Sequence, residues 1–142
     1  MVWGWKWNEA AEFVVERATR FPDEGEAHEL LYAIAGCVGG PEPAQGLWRL
    51  RDYPQMVEFA ARFLDDETVV RTIHMRSSPD NKIEVEMRAC DYAARILDLY
   101  SEGKIVYAAL GDVAHYFRND KVVAEAKKWV ESNMVKKERN GR

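Results

Sequence analysis

Residues 78–100 read SPDNKIEVEMRACDYAARILDLY, and this stretch decides the predicted fold. Ser78, Pro79 and Asp80 form a typical helix start: a hydroxyl cap, a proline at the first helical position and an acid in the first turn. At about 100° per residue, the following charged side chains fall on one narrow strip with alternating signs, while nearly all other side chains are apolar or small. The strip consists of Glu84, Arg88, Asp91, Arg95 and Asp98.

A helix with so thin a polar strip is mostly surrounded by protein, so we predict a central helix over residues 79–100. The segments around it have helical spacing as well, and no hairpin signal is found. Further helices are predicted at about residues 8–21, 23–38, 53–64, 65–76, 105–117 and 119–134, with a short helical piece after Pro43. The sequence therefore predicts an all-α fold, a compact bundle of about seven helices around the helix at 79–100.

Length and composition fit one helical domain over residues 1–142. A chain of this size buries about two-thirds of its unfolded surface. The net charge of −4 gives no general case for binding nucleic acid. No run approaches the roughly 20 apolar residues of a membrane span, and the first residues lack the apolar segment of a signal peptide. Cys37 and Cys90 lie in apolar helical patterns typical of buried free thiols, so we expect a cytoplasmic protein without a membrane partner.

Two stretches of the chain resemble each other. Residues 57–70 read VEFAARFLDDETVV, and residues 110–123 read LGDVAHYFRNDKVV. Each has bulky apolar residues at a helix end, then an acidic or Asn turn, then a pair of valines. This pattern resembles the helical hairpin of HEAT-like and armadillo-like repeat proteins. The resemblance implies stacked hairpins and a binding surface rather than catalysis. Because the spacing of the units does not follow one period, we favour the closed bundle, with the stack as the alternative.

Catalytic signatures are absent from the sequence: there is no phosphate-binding loop, paired-cysteine motif, zinc-protease motif or nucleophile elbow. Asp112 and His115 are three residues apart on a predicted helix, so their side chains can touch. They are the remaining candidates for a metal or acid–base site. Because a metal site needs about three converging ligands, the ordinary interpretation of each histidine is structural. We therefore predict no metal and no cofactor.

The tryptophans are the candidate protein-binding residues. Trp3, Trp5 and Trp7 alternate along the first segment, so their indoles point one way if that segment is extended. Trp48 lies in the irregular segment between Pro41 and Arg51. Aromatic side chains are enriched at the energetic centres of interfaces. The alternative interpretation is that the N-terminal indoles fold back and seal one end of the core.

The C-terminal end is basic. Residues 127–142 hold six basic and two acidic side chains around Trp129. This end is suited to a phosphate backbone, and the candidate nucleic-acid-binding residues are Lys127, Lys128, Lys136, Lys137 and Arg139. Charge runs at a terminus are also typical of solvated tails, and we expect residues 135–142 to fray.

Together these patterns favour a non-catalytic macromolecular-interaction protein, a protein-binding helical adaptor or complex subunit. Its expected partner is another protein or a second copy of the chain. Two alternatives stay open. One is a nucleic-acid-binding or nucleoprotein-complex subunit that uses the basic C-terminal helix and tail. The other is a metal-dependent enzyme that uses Asp112 and His115.

Overall fold

The structure, a computed structural model, describes residues 13–20, 23–38, 53–112 and 118–140. Within these ranges it gives the backbone but not the side-chain environment of residues 36–38, 77 and 134–140. The described residues form six helices and one two-stranded antiparallel sheet. In chain order these elements are α1 (13–19), α2 (Glu24–Val38), α3 (Gln55–Ala61), β1 (Val69–Ser78), β2 (Asn81–Arg88), α4 (Ala89–Tyr100), α5 (Lys104–Leu110) and α6 (Asp120–Asn140).

The prediction of an all-α bundle of about seven helices is wrong between residues 69 and 88. The predicted helix at 65–76 is replaced by β1, and the first half of the predicted helix at 79–100 is replaced by β2. The fold is therefore mixed, with a β-hairpin inserted into a helical domain. Only residues 89–100 of the predicted central helix are helical.

The hairpin has a physical signal in the sequence. Residues 82–88 read KIEVEMR, a strict alternation of polar and apolar side chains with the period of a strand. Residues 69–73 contain three β-branched aliphatic residues and a threonine, which favour strands. Pro79 and Asp80 lie in the turn between the strands instead of starting a helix. Proline and an acid suit a turn as well as a helix N-terminus, so the sequence signal at residue 79 was ambiguous.

The charged strip was also misinterpreted as a solvent-exposed face. Arg88 and Asp91 are each only 3% exposed, whereas Glu84 on β2 is exposed. The spacing that relates these residues on a helical wheel has no meaning across a strand-to-helix junction. The two buried charges are instead paired with each other, as described below.

Helix α4 nevertheless lies at the centre of the domain. It packs against α2, α3, α5 and α6, and β2 leads directly into it. Most of its side chains are buried, including Ile96 at 1% and Leu97 at 0% exposure. The core around it includes Leu31 and Ile34 from α2, Met56 and Phe59 from α3, Ile105 from α5, and Val122 and Ala126 from α6.

Several helix starts were predicted correctly. Asp23 caps α2, because its carboxylate accepts a hydrogen bond from the Glu26 backbone N–H at 2.8 Å. Asn119 caps α6 in the same way, with 2.9 Å between its side-chain oxygen and the Lys121 nitrogen. Helix α6 continues to Asn140. Among the described residues, no helix combines the length and the hydropathy that crossing a bilayer requires.

The central position of α4 predicts a large cost for truncating it. We expect Leu97→Ala to lower the free energy of unfolding by about 2–5 kcal/mol, because it opens a cavity where the side chain is fully buried. Tyr107→Ala on α5 is the control. Its side chain is 69% exposed, so its effect should stay within about 0.5 kcal/mol. Urea denaturation measures both, and equal losses would contradict a core centred on α4.

Candidate protein-interaction surface

The two strands and their turn, residues 69–88, form a structure that we call the hairpin arm. Ile73 pairs with Val85, His74 with Glu84 and Arg76 with Lys82 in the antiparallel register. Eight residues of β2 correspond to a length of about 26 Å at roughly 3.3 Å per residue. The principal helix contacts of the arm are made with α2 and α4. These contacts lie at its base, because β2 runs into α4 at Arg88.

One face of the arm is apolar and becomes more exposed toward the turn. Met87, at the base, is completely buried. Ile73 and Val85, in the middle, are half-buried and pack against the edge of the core. Farther out, Met75 is half-buried and Ile83 is 38% exposed. The body of the protein therefore covers this face at the base and leaves its outer part in solvent.

The opposite face of the arm is polar and exposed. His74 and Glu84 are cross-strand neighbours on it, with 3.3 Å between His74 Nδ1 and Glu84 Oε1. Thr72, Arg76, Lys82 and Glu86 complete this face, and all of these residues are exposed. The arm thus resembles antiparallel sheets that pack against a second layer with one face and contact solvent with the other.

Among the described residues, no strand pairs with the edge of β2 that lies away from β1. Arg118 Nη1 donates a hydrogen bond of 3.5 Å to the carbonyl oxygen of Glu86, so this carbonyl points away from β1. In an antiparallel sheet the backbone groups of alternate residues point to the same side. The N–H and C=O groups of Lys82 and Glu84 therefore face the same outer edge as those of Glu86. Such an edge is a template for adding another strand.

A buried arginine anchors the base of the arm. The Arg88 guanidinium donates two hydrogen bonds to Asp91, with Nε at 2.9 Å and Nη2 at 3.0 Å from the two carboxylate oxygens. It also reaches Glu67 at 3.2 Å and Asp120 at 2.7 Å. One side chain thus joins the end of β2 to α4, to the segment before β1 and to α6.

Asp91 also caps the helix that follows the arm. Its carboxylate accepts a hydrogen bond from the Arg88 backbone N–H at 3.0 Å, at the positive end of α4. The hydrogen bonds that Arg88 donates to Asp91 outweigh burial and raise the pKa of Arg88, so the guanidinium stays charged. The hydrogen bond and the charge of Arg88 in turn lower the pKa of Asp120.

A cavity of about 330 Å³ lies beside this cluster. Its charged walls are paired among themselves, because Lys127 binds Asp65 at 2.6 Å while Arg88 holds Asp120 and Glu67. Cys90 also lines the cavity, and burial raises the pKa of its thiol to about 11. The thiol is therefore protonated at neutral pH and is a poor nucleophile. Cys90 is a buried free cysteine, as the sequence predicted.

A second contact fixes β1 to α2. Arg71 Nη2 lies 2.9 Å and 3.3 Å from the two carboxylate oxygens of Glu29. The same guanidinium lies 4.5 Å from the centre of the Tyr32 ring, a cation–π contact. Both contacts are partly exposed, so they orient the arm more than they stabilise it.

A third contact holds the loop that leads into the arm. His28 Nε2 lies 2.8 Å from Asp66 Oδ2, and the other Asp66 oxygen accepts the Thr68 backbone N–H at 3.0 Å. Burial alone would raise the pKa of Asp66, but the hydrogen bonds from Thr68 and His28 outweigh it and lower the pKa below its ordinary value. The His28 side chain is only 12% exposed.

Glu24 extends this contact into a group of metal-ligating side chains. Its carboxylate lies 3.9 Å from His28 Nε2, and ligand atoms of Glu24, His28 and Asp66 all lie within 4.8 Å of one another. The Glu24 side chain is 73% exposed, in contrast to the half-buried pair. The shortest distance in this group, between His28 Nε2 and Asp66 Oδ2, is that of a hydrogen bond. We therefore call His28 and Asp66 the Asp66 clamp, because they hold the loop before β1 against α2.

The structure does not describe most of the side chains that the sequence suggested as sites. Trp3, Trp5, Trp7, Trp48 and His115 lie outside the described residues. Asp112 is exposed at the end of α5.

Among the basic candidates, Lys127 pairs with Asp65 and Lys128 pairs with Glu125 at 3.3 Å. Helix α6 carries Lys136, Lys137 and Arg139 on its last turns, but their side chains are outside the described part. Whether residues 135–142 fray stays a prediction.

The hairpin arm itself was missed at the sequence level. The alternation of polar and apolar residues between Lys82 and Arg88 was the available signal. We gave more weight to the longer helical pattern beside it. The contacts of Arg71 with Glu29 and of His28 with Asp66 join residues about 40 positions apart. A local sequence pattern cannot predict contacts over such a separation.

Comparisons with family models, with curated proteins and with solved structures found no match.

The Arg88 anchor makes a testable prediction. We expect Arg88→Met to lower the free energy of unfolding by about 3–5 kcal/mol, because it leaves the Asp91 carboxylate buried without its partner. The double variant Arg88→Met with Asp91→Leu should recover part of this loss. Arg20→Met is the control, since Arg20 forms an exposed ion pair with Glu16 and should cost less than about 1 kcal/mol. Equal costs in thermal and urea unfolding would show that Arg88 is no anchor.

The Asp66 clamp predicts a pH dependence. The pKa of Asp66 is lower in the folded protein than the ordinary aspartate value of 3.8. Its contribution to stability is therefore complete above that value and is lost as the pH falls through the lower folded pKa. We expect Asp66→Asn to destabilise the protein near neutral pH, with the difference from wild type shrinking below about pH 4. Asp112→Asn serves as the exposed control, and a difference that does not change with pH would refute the assignment.

Proposed function

We propose that this chain is a non-catalytic interaction protein that binds another polypeptide through the hairpin arm. One observation carries the proposal: the outer apolar face of the arm, with Ile83 38% exposed and Met75 beside it, lies next to an edge of β2 with which no strand of the described part of the chain pairs. A polypeptide that adds to this edge gains backbone hydrogen bonds and apolar contacts at once.

The marginal stability of small sheets supports this function. An isolated two-stranded hairpin is barely stable in water, whereas a third strand or a packed layer stabilises it. In the described part of the chain, the principal helix contacts of the arm lie at its base. Its outer part, between Ile73 and Val85, extends beyond them. A bound polypeptide would supply the missing layer or strand. The three contacts at the base hold the arm in one orientation and so lower the entropic cost of binding.

The chemistry around Arg88 also favours binding over catalysis. The charged groups of the cavity neutralise one another in ion pairs, and the Cys90 thiol is held in its protonated form. These groups serve to fix β2 and α6 to α4. As a buried free thiol, Cys90 is also consistent with our proposal that the protein works in the reducing cytoplasm.

The basic C-terminal end is the weaker candidate surface. Lys127 and Lys128, two of its proposed phosphate contacts, are engaged with Asp65 and Glu125. A phosphate backbone would have to compete with these carboxylates. The N-terminal tryptophans remain part of the proposal, as additional aromatic contacts for the same or a second polypeptide.

Site-specific photo-crosslinking tests the proposed surface. A photoreactive benzoylphenylalanine replaces Ile83 on the arm, and in a matched variant it replaces Tyr107, which is 69% exposed on α5. After irradiation of the cells that naturally express the chain, we expect a covalent adduct heavier than the monomer at position 83 and none at position 107. Mass spectrometry then identifies the captured polypeptide. If position 83 yields no adduct, or if both positions capture the same proteins, the arm is not the binding surface.

A further inference from the structure

We propose that the polypeptide bound by the arm is a second copy of this chain, joined edge to edge through β2 in an antiparallel register centred on Glu84. This inference rests on the proposed function and adds the identity of the partner. It also adds the register, which follows from the charges along the outer edge of β2.

The two edges of the arm differ in whether they can pair with themselves. The β1 strand carries Arg71, His74 and Arg76 and no acidic residue. Two copies of β1 would therefore bring like charges together, and its base is already held against α2 through Arg71 and Glu29. The outer edge of β2 instead carries one basic and two acidic side chains.

The order of those side chains is self-complementary. When two β2 strands run antiparallel about Glu84, Lys82 of each copy lies opposite Glu86 of the other. The alternate residues then place Ile83 of each copy opposite Val85 of the other, on the apolar face. Opposite charges and paired β-branched side chains are both favourable across an antiparallel strand pair.

Neighbouring registers are poorer. Shifting the centre to Val85 places Lys82 opposite Arg88 and Glu84 opposite Glu86, so like charges meet at both positions. Shifting it to Ile83 keeps an attraction between Lys82 and Glu84, but it places Glu86 opposite Asp80 of the other copy and Val85 opposite Asn81. Of these three registers, only the one about Glu84 combines two attractive charge pairs with two pairs of β-branched side chains.

Two local features bear on this register. The two Glu84 carboxylates approach each other at the two-fold axis, and in each copy His74 lies 3.3 Å from Glu84, where it can share that charge. The Arg118 contact with the Glu86 carbonyl, at 3.5 Å, gives way to the backbone N–H of Lys82 from the second copy. The lost contact is longer than an ordinary hydrogen bond, so the exchange favours pairing.

The product is a closed assembly. The order of strands becomes β1, β2, β2, β1, a four-stranded antiparallel sheet whose two halves are related by a two-fold axis. Because both copies use the same patch, pairing stops at the dimer. The apolar side chains of both arms then lie on one side of a single sheet, and the helical bodies lie at its two ends on that side. Ile73, Met75, Ile83 and Val85 of each copy form this face.

Charge reversal tests the inference. The full-length chain is studied by analytical ultracentrifugation and light-scattering size exclusion over a wide concentration range. We expect wild type to form a dimer and K82E to weaken it about ten- to hundredfold, because two attractive pairs become repulsive. E86K should act in the same direction, and the double variant K82E/E86K should restore most of the affinity. K104E, with the same change of charge on exposed α5, should behave as wild type.

These variants keep the arm folded. Lys82 lies opposite Arg76 within one hairpin, so K82E removes a like-charge pair there. Glu86 lies opposite Thr72, so E86K creates no new repulsion across that pair. A dimer lost in K82E and recovered in the double variant therefore reports on the contact between copies.

Each other outcome overturns the inference. A wild-type monomer at every concentration excludes the second copy as partner. A dimer that ignores K82E, or a double variant that stays monomeric, excludes the register about Glu84. The proposed function is judged separately. An adduct between position 83 and a different protein, together with a monomeric chain, supports binding by the arm and rejects self-pairing, while no adduct and no dimer reject both.

Discussion

The buried pairing of Arg88 with Asp91 is the interaction on which the arrangement of the domain depends. It occurs where a strand becomes a helix without an intervening loop residue. The Asp91 carboxylate accepts hydrogen bonds from both the guanidinium and the backbone N–H of Arg88. The same two residues therefore fix the direction of β2 and the start of α4. Asp120 and Glu67 bring α6 and the segment before β1 to the same guanidinium. A buried charge of this kind costs desolvation, and it tolerates few geometries.

This pairing explains why a hairpin can project from a small helical core. Strand β2 has little of its own to hold it, since Ile83 on the outer apolar face is 38% exposed and no layer formed by the described residues covers it. Its base is fixed by Arg88, and β1 is fixed through Arg71 and the segment held by Asp66. The stability of the helical body therefore supports a sheet that would not form alone.

The sequence predicted the helical parts well because their signals are local. Helices α2 and α6 begin close to the predicted residues 23 and 119, and residues 89–100 occupy the centre. The hairpin was missed because a strand that alternates charged and apolar residues, taken together with the helix after it, gives the pattern of a charged strip on a helix. Glu84 and Arg88 have helical spacing by coincidence. Because α4 follows β2 directly, the apparent helical pattern continues without a break into a true helix, and the sequence therefore predicted one long helix. The candidate surface was missed with it, since its exposed face exists only once residues 69–88 are paired as strands.

The direct junction between Arg88 and Ala89 has a mechanical consequence. No loop residue separates β2 from α4, so the arm can change its direction relative to α4 only if the backbone at Arg88 and Ala89 leaves its strand and helix conformations. Such a change would have to break the hydrogen bonds between Arg88 and Asp91 or shift α4, which packs against four other helices.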